Sequence, residues 1–161
     1  MGKRSIKENK TIYQVCREEA GFTRAKASEV IGFLSESKIE KIESEKTLPH
    51  PEDVLAMADA YERSDLCNQY CSKICPIGQE YIPCVEAKEL SQITIEMLST
   101  LTKLTKEKDR LIEIVVDGEI SDDEIQDFLR IQNNLNDMSL AIESLKLWVK
   151  NSISSGKITK L

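Results

Sequence analysis

Four closely spaced cysteines carry the clearest chemical potential in this chain: Cys67, Cys71 and Cys75, with three residues between each and the next, and Cys84 after eight more. Four thiolates suit a tetrahedral zinc ion or an iron–sulfur cluster. With Zn–S bonds near 2.3 Å, the sulfurs of one site sit about 3.8 Å apart. Cys67 and Cys71, one helical turn apart, meet that spacing. A helix continued to Cys75 would carry it about 12 Å from Cys67. Pro76 disfavours helix at Cys75, so a turn there returns Cys75 and Cys84 to the first pair. The spacing makes Cys67, Cys71, Cys75 and Cys84 candidate metal ligands, with zinc ahead of iron–sulfur. The alternative is that Cys67 and Cys71 are small buried apolar residues. Cys16 lies outside the cluster and reads as a core residue. An odd cysteine count without a secretion signal argues against a disulfide framework.

Other reactive patterns are absent from the sequence. The one histidine, His50, sits between Pro49 and Pro51 and reads as a loop residue. There is no nucleophile–base pair, Walker loop or dinucleotide fingerprint, so the expectation is a non-enzymatic protein. No stretch approaches the roughly 18 apolar residues that span a bilayer, and no apolar segment follows the basic residues at the start. The expected setting is cytoplasmic, without membrane. The net charge is −6, and the first 66 residues hold eleven basic against thirteen acidic residues. A basic footprint is confined to the N-terminal tail, with Lys3, Arg4, Lys7 and Lys10.

The elements that must position these residues are helical. The chain has 161 residues, 40% apolar and 31% charged, with only six glycines and four prolines. Residues 9–63 read as short helices with tight breaks. Ile12, Val15 and Cys16 give the first an apolar stripe, and Gly21 ends it. Thr23 caps a second helix that ends at Gly32, and Ser35 caps a third with Ile39 and Ile42 facing inward. Pro51 suits the first turn of a fourth, with Val54, Leu55, Ala58 and Tyr61 inside. A fifth begins near Asp65 and turns Leu66 and Tyr70 inward.

Residues 86–150 read as two long helices. Leu90, Ile93, Met97, Leu101, Leu104, Leu111 and Val115 follow a three-four spacing on one. Ile125, Phe128, Leu135, Met138, Ile142, Leu145 and Val149 do so on the other. Gly118 separates them and Ser121 caps the second. So short a break implies an antiparallel, coiled-coil-like hairpin. Folding near residue 119 sets Leu104 beside Leu135 and Leu101 beside Met138.

The run Cys16-Arg17-Glu18-Glu19-Ala20-Gly21-Phe22-Thr23 resembles the opening of the xenobiotic-response-element (phage repressor and Cro-like) helix-turn-helix family. Ile31-Gly32 is similar to the end of that family's second helix. Ile39-Glu40-Lys41-Ile42-Glu43 resembles its recognition helix, and Pro49 through Tyr61 its closing helix. The turn with Phe33 and Leu34 is one residue longer than the family pattern, and Arg24 stands where glutamine is common. The resemblance implies an all-α fold, with a five-helix repressor-like domain over residues 1–66. A cysteine-rich connector over 67–85 and a helical hairpin over 86–161, serving oligomerisation, would follow. It implies an ion pair between Arg17 and Glu43. It also implies a DNA-binding transcriptional regulator acting on double-stranded DNA as a homodimer. Ser37, Lys38, Glu40 and Lys41 would face the major groove, with Arg24 and the basic tail near phosphates. The alternatives are an adaptor binding another regulatory protein through the same fold, and a metal- or redox-sensing regulator.

Overall fold

A computed structural model describes residues 10–116 and 118–159. Among the described residues the chain forms eight α-helices and no strand: α1 (Ile12–Glu19), α2 (Arg24–Ile31), α3 (Glu36–Glu43), α4 (Pro51–Ala60), α5 (Asp65–Lys73), α6 (Pro76–Tyr81), α7 (Leu90–Val115) and α8 (Ile125–Ser154). They fall into two compact units, Met1–Cys84 with Lys150–Leu161, and Val85–Val149. Of residues 67–85, expected as a connector, 67–84 lie in the first unit as most of α5, all of α6 and an extended stretch, and Val85 begins the second.

Local chemistry sets the helix ends in the first unit. The hydroxyls of Thr23 and Ser35 accept hydrogen bonds from the backbone N–H groups of Lys26 and Lys38, satisfying donors that the first turn leaves free. Gly21 and Gly32 close α1 and α2 at φ 75° and 81°, where a side chain would be strained. Pro51 opens α4, and the Asp53 carboxylate reaches back to the His50 N–H.

The core of this unit comprises Tyr13, Cys16, Ala27, Leu34, Ile39, Ile42, Val54, Met57, Ala58, Tyr61 and Leu66. Two inward faces differ from the sequence reading. On α1 the buried residues are Tyr13, Gln14, Cys16 and Arg17, while Ile12 and Val15 are only partly covered. On α4 the buried set is Val54, Met57, Ala58 and then Tyr61 at the cap, while Leu55 is exposed. A one-residue step turns the helix by about 100°, so Leu55 points away from a stripe that Val54, Met57, Ala58 and Tyr61 share. Phe22 meets Tyr61 edge to face at 6.2 Å, fixing the α1–α2 turn onto α4.

Helix α6 folds back on α5 at Cys75-Pro76. The approach is close: a Cβ at Gly78 would stand 2.0 Å from the Cys71 carbonyl oxygen. Glycine is therefore required there, because the obstacle is backbone.

In the second unit, α7 and α8 form an antiparallel hairpin. Glu107 accepts from Arg130 (2.7 Å) and Asn134 (2.7 Å), and Arg110 donates to Asp127 (2.7 Å). Glu107 is thus bracketed by Arg130 and Asn134, a register that sets Leu104 level with Leu135. A four-three alternation runs through the covered positions Ile93, Met97, Thr100, Leu104, Glu107, Leu111 and Ile114 on α7, and Asp127, Ile131, Asn134, Met138, Ala141, Leu145 and Trp148 on α8, while Ser144 and Leu147, 2% and 6% exposed, are covered outside it. That is the heptad repeat of a coiled coil. Leu101, Val115, Leu135, Ile142 and Val149, read as seam residues from their apolarity, are all more than a third exposed. The helices keep the 3.5-residue period even where it brings Thr100, Glu107 and Asn134 inward. The connection passes through Gly118 (φ 79°), and Ser121 gives both its N–H and its hydroxyl to Glu124.

Candidate functional site

The functional residues of the first unit gather around α3. Its inner stripe, Ile39 and Ile42, is buried, which leaves Glu36, Ser37, Glu40 and Lys41 on the exposed side. Ser35 caps the helix and the 1%-exposed Leu34 anchors the turn before it, so both ends of the exposed face are fixed.

A cluster of charges beneath this face locks α3 to its neighbours. The Glu43 side chain, 1% exposed, lies between two guanidiniums. Arg17 donates from Nε to Oε1 (2.5 Å) and from Nη2 to Oε2 (3.0 Å), a two-pronged contact. Its Nη1 donates to the Phe22 carbonyl at 2.6 Å. Arg24 donates from Nε to Glu43 Oε2 at 2.8 Å. One carboxylate thereby ties α1, the following turn, the start of α2 and the end of α3. Burial alone would lower the Arg17 pKa, but the hydrogen bond and attraction of Glu43 outweigh it, and the net shift is upward.

Two residues expected at a ligand surface are thus engaged within the protein. Arg24, expected near phosphates, is bound to Glu43. Lys38, expected in the groove, donates from Nζ to Asp53 Oδ1 at 2.8 Å. Asp53 is 2% exposed, with its other oxygen on the His50 N–H, so Lys38 pins α3 to the start of α4. Sequence reasoning did not assign Asp53 a role. Its position at the third residue of a proline-initiated helix marked it as a cap, and a cap with a free oxygen can also take a cation. Ser37, Glu40 and Lys41 are exposed. Of the basic tail, Lys3, Arg4 and Lys7 lie outside the described residues, and Lys10 pairs with Glu18 at 2.6 Å.

The cysteines do not form the expected centre. No three His, Cys, Asp or Glu side chains among the described residues are grouped to hold an ion, so Cys67, Cys71, Cys75 and Cys84 do not make a single four-ligand site. The chain does turn at Pro76, but α6 starts there at once and lies against α5. Cys67 packs against the core of the first unit, and burial raises its thiol pKa. All five thiols are free, Cys16 buried and Cys84 exposed. Burial pushes Cys16 up to about 12. Cys84 should therefore react with a thiol reagent in the native protein within minutes, while Cys16 should react only after unfolding. Mass mapping of the labelled sites checks this, and native labelling of Cys16 would contradict its placement.

A family model described as a helix-turn-helix domain matches residues 14–66, about a third of the chain. No curated protein and no solved structure gives a match. The first unit is thus similar to a helix-turn-helix domain over residues 14–66, a segment that holds α2 and α3. The match is to the class and does not distinguish the phage-repressor and Cro-like branch. No helix of the described residues is long and apolar enough to cross a membrane.

Proposed function

We propose that the chain is a DNA-binding transcriptional regulator of the phage-repressor type, in which α3 enters the major groove. The observation that carries this reading is the α2–α3 pair within the matched segment, with α3 buried on Ile39 and Ile42 and exposed on Ser37, Glu40 and Lys41. Ser37 can bond either a base edge or a phosphate. Glu40 suits the amino group of cytosine, and Lys41 suits guanine O6 and N7 or a phosphate oxygen. Carboxylates repel phosphates, so Glu36 and Glu40 penalise every site that does not offer them a donor. With Arg24 and Lys38 held by carboxylates, non-specific affinity is weak and discrimination rests on few contacts. Pairing of two copies through the α7–α8 unit supplies a second head and a second half-site, one helical turn of DNA away.

Replacing Lys41 with alanine should weaken binding to a selected duplex roughly tenfold, the lower part of what one good base contact contributes. Glu40→Gln should broaden the bases accepted at one position. Both are read by fluorescence anisotropy at fixed salt. Unchanged affinity and selectivity in both variants would remove α3 from the interface.

A second reading has a specific observation in its favour. The engagement of Arg24 by Glu43 and of Lys38 by Asp53 leaves a face with Glu36 and Glu40 against Lys41, which suits a basic surface of another regulatory protein. Absence of duplex binding at low salt would favour that adaptor role.

A further inference from the structure

We infer that the α7–α8 hairpin docks face to face with the hairpin of a second copy of this chain, through the one edge of its seam that is apolar. This rests on the pairing proposed above and adds the surface that performs it. The heptad register separates the two edges. In an antiparallel pair, residues just after the inner d positions of both helices line one edge, and residues just before the inner a positions line the other. The second edge carries Glu96, Lys103 and Arg110 on α7 with Arg130 and Asp137 on α8, and its arginines are tied across to Asp127 and Glu107. The first edge carries Thr94, Leu101, Lys108 and Val115 on α7 with Phe128, Leu135, Ile142 and Val149 on α8, and Leu98, just after the inner Met97, borders it. Leu98, Leu101, Val115, Leu135, Ile142 and Val149 are 58%, 47%, 53%, 50%, 39% and 37% exposed.

The occupant follows from size, charge and symmetry. Helix α7 has 26 residues and is about 39 Å long, and two helices side by side span roughly 20 Å. The face therefore offers about 800 Å², the amount each partner contributes to a standard stable interface. It holds no carboxylate, and its two lysines, Lys108 and Lys146, can lay their stems on apolar surface and reach water. Both lysines pair with carboxylates of their own helices, Lys108 with Asp109 at 3.5 Å and Lys146 with Glu143 at 2.7 Å, so a charged partner segment finds little uncompensated charge here, whereas an identical apolar face matches it. Two hairpins stacked on this edge make a four-helix bundle in which every neighbour is antiparallel, and the contact closes as a twofold dimer.

Sedimentation velocity of the full chain between about 1 and 100 µM, without DNA, tests the inference. Twice the chain mass is expected for the parent and for Asn133→Glu, which puts a charge on an exposed position away from the face. Leu135→Glu/Ile142→Glu should sediment as a monomer. Leu135→Ala/Ile142→Ala keeps helix-forming residues and should raise the dimer dissociation constant at least 30-fold, with the circular dichroism of the monomeric fraction helical. A monomeric parent at 100 µM would overturn both the surface and the pairing, leaving the face to another protein. A dimer that survives Leu135→Ala/Ile142→Ala unchanged would overturn the surface while pairing stands. Neither result bears on DNA binding by α3, which is read separately.

Discussion

Removing the Glu43 carboxylate should destabilise the helix-turn-helix domain by about 3–5 kcal/mol, because breaking a buried ion pair leaves its partner without compensation. In Glu43→Ala the Arg17 guanidinium, 7% exposed, keeps only the Phe22 carbonyl and a 3.9 Å approach to Glu18. Arg17→Ala should cost about 3 kcal/mol, the lower end, since Arg24 still faces the carboxylate. The pair Arg17→Met/Glu43→Leu should cost less than Glu43→Ala alone, because two matched apolar groups avoid the desolvation of a lone charge. Urea unfolding followed by the tyrosine near-ultraviolet signal measures all three. A parent-like midpoint for Glu43→Ala would mean that the cluster is a surface contact.

The second large effect lies in the turn between α2 and α3. Leu34→Ala should cost about 2–5 kcal/mol, as for a fully buried leucine whose cavity cannot collapse. Phe33→Ala, at the adjacent 64%-exposed position, should stay within about 0.5 kcal/mol. The larger side chain thus matters less, because only Leu34 enters the core that Ile39, Ile42 and Val54 complete. The same unfolding measurement applies, and a greater loss for Phe33→Ala would reverse the assignment of inside and outside in this turn.

The parts of the fold that follow from short-range chemistry could be read along the chain. Thr23 and Ser35 cap because a hydroxyl can reach an amide three residues on. Gly21 and Gly32 end helices because the next step needs positive φ. The hairpin register emerged because both long helices repeat at nearly the same period. Other features depended on distant contacts. Leu55 looks like a core residue until the orientation of α4 is fixed by Met57. Thr100, Glu107 and Asn134 occupy the seam because heptad geometry, not polarity, decides which positions face the partner. Lys38 looked free because its partner, Asp53, is fifteen residues away. The cysteine spacing was permissive of a metal site. It could not reveal that Cys67 is held by the core and that α6 restarts at Pro76, close enough to α5 to require Gly78.

The central claim is that α3 reads duplex DNA, and selection from a random duplex library with the full chain at about 50 mM salt tests it most directly. The expected result is enrichment of a sequence with two related half-sites about one helical turn apart. Its affinity should fall with a log–log salt slope of only a few, because few cations contact phosphates. No enrichment and no binding of any duplex at that salt would contradict it.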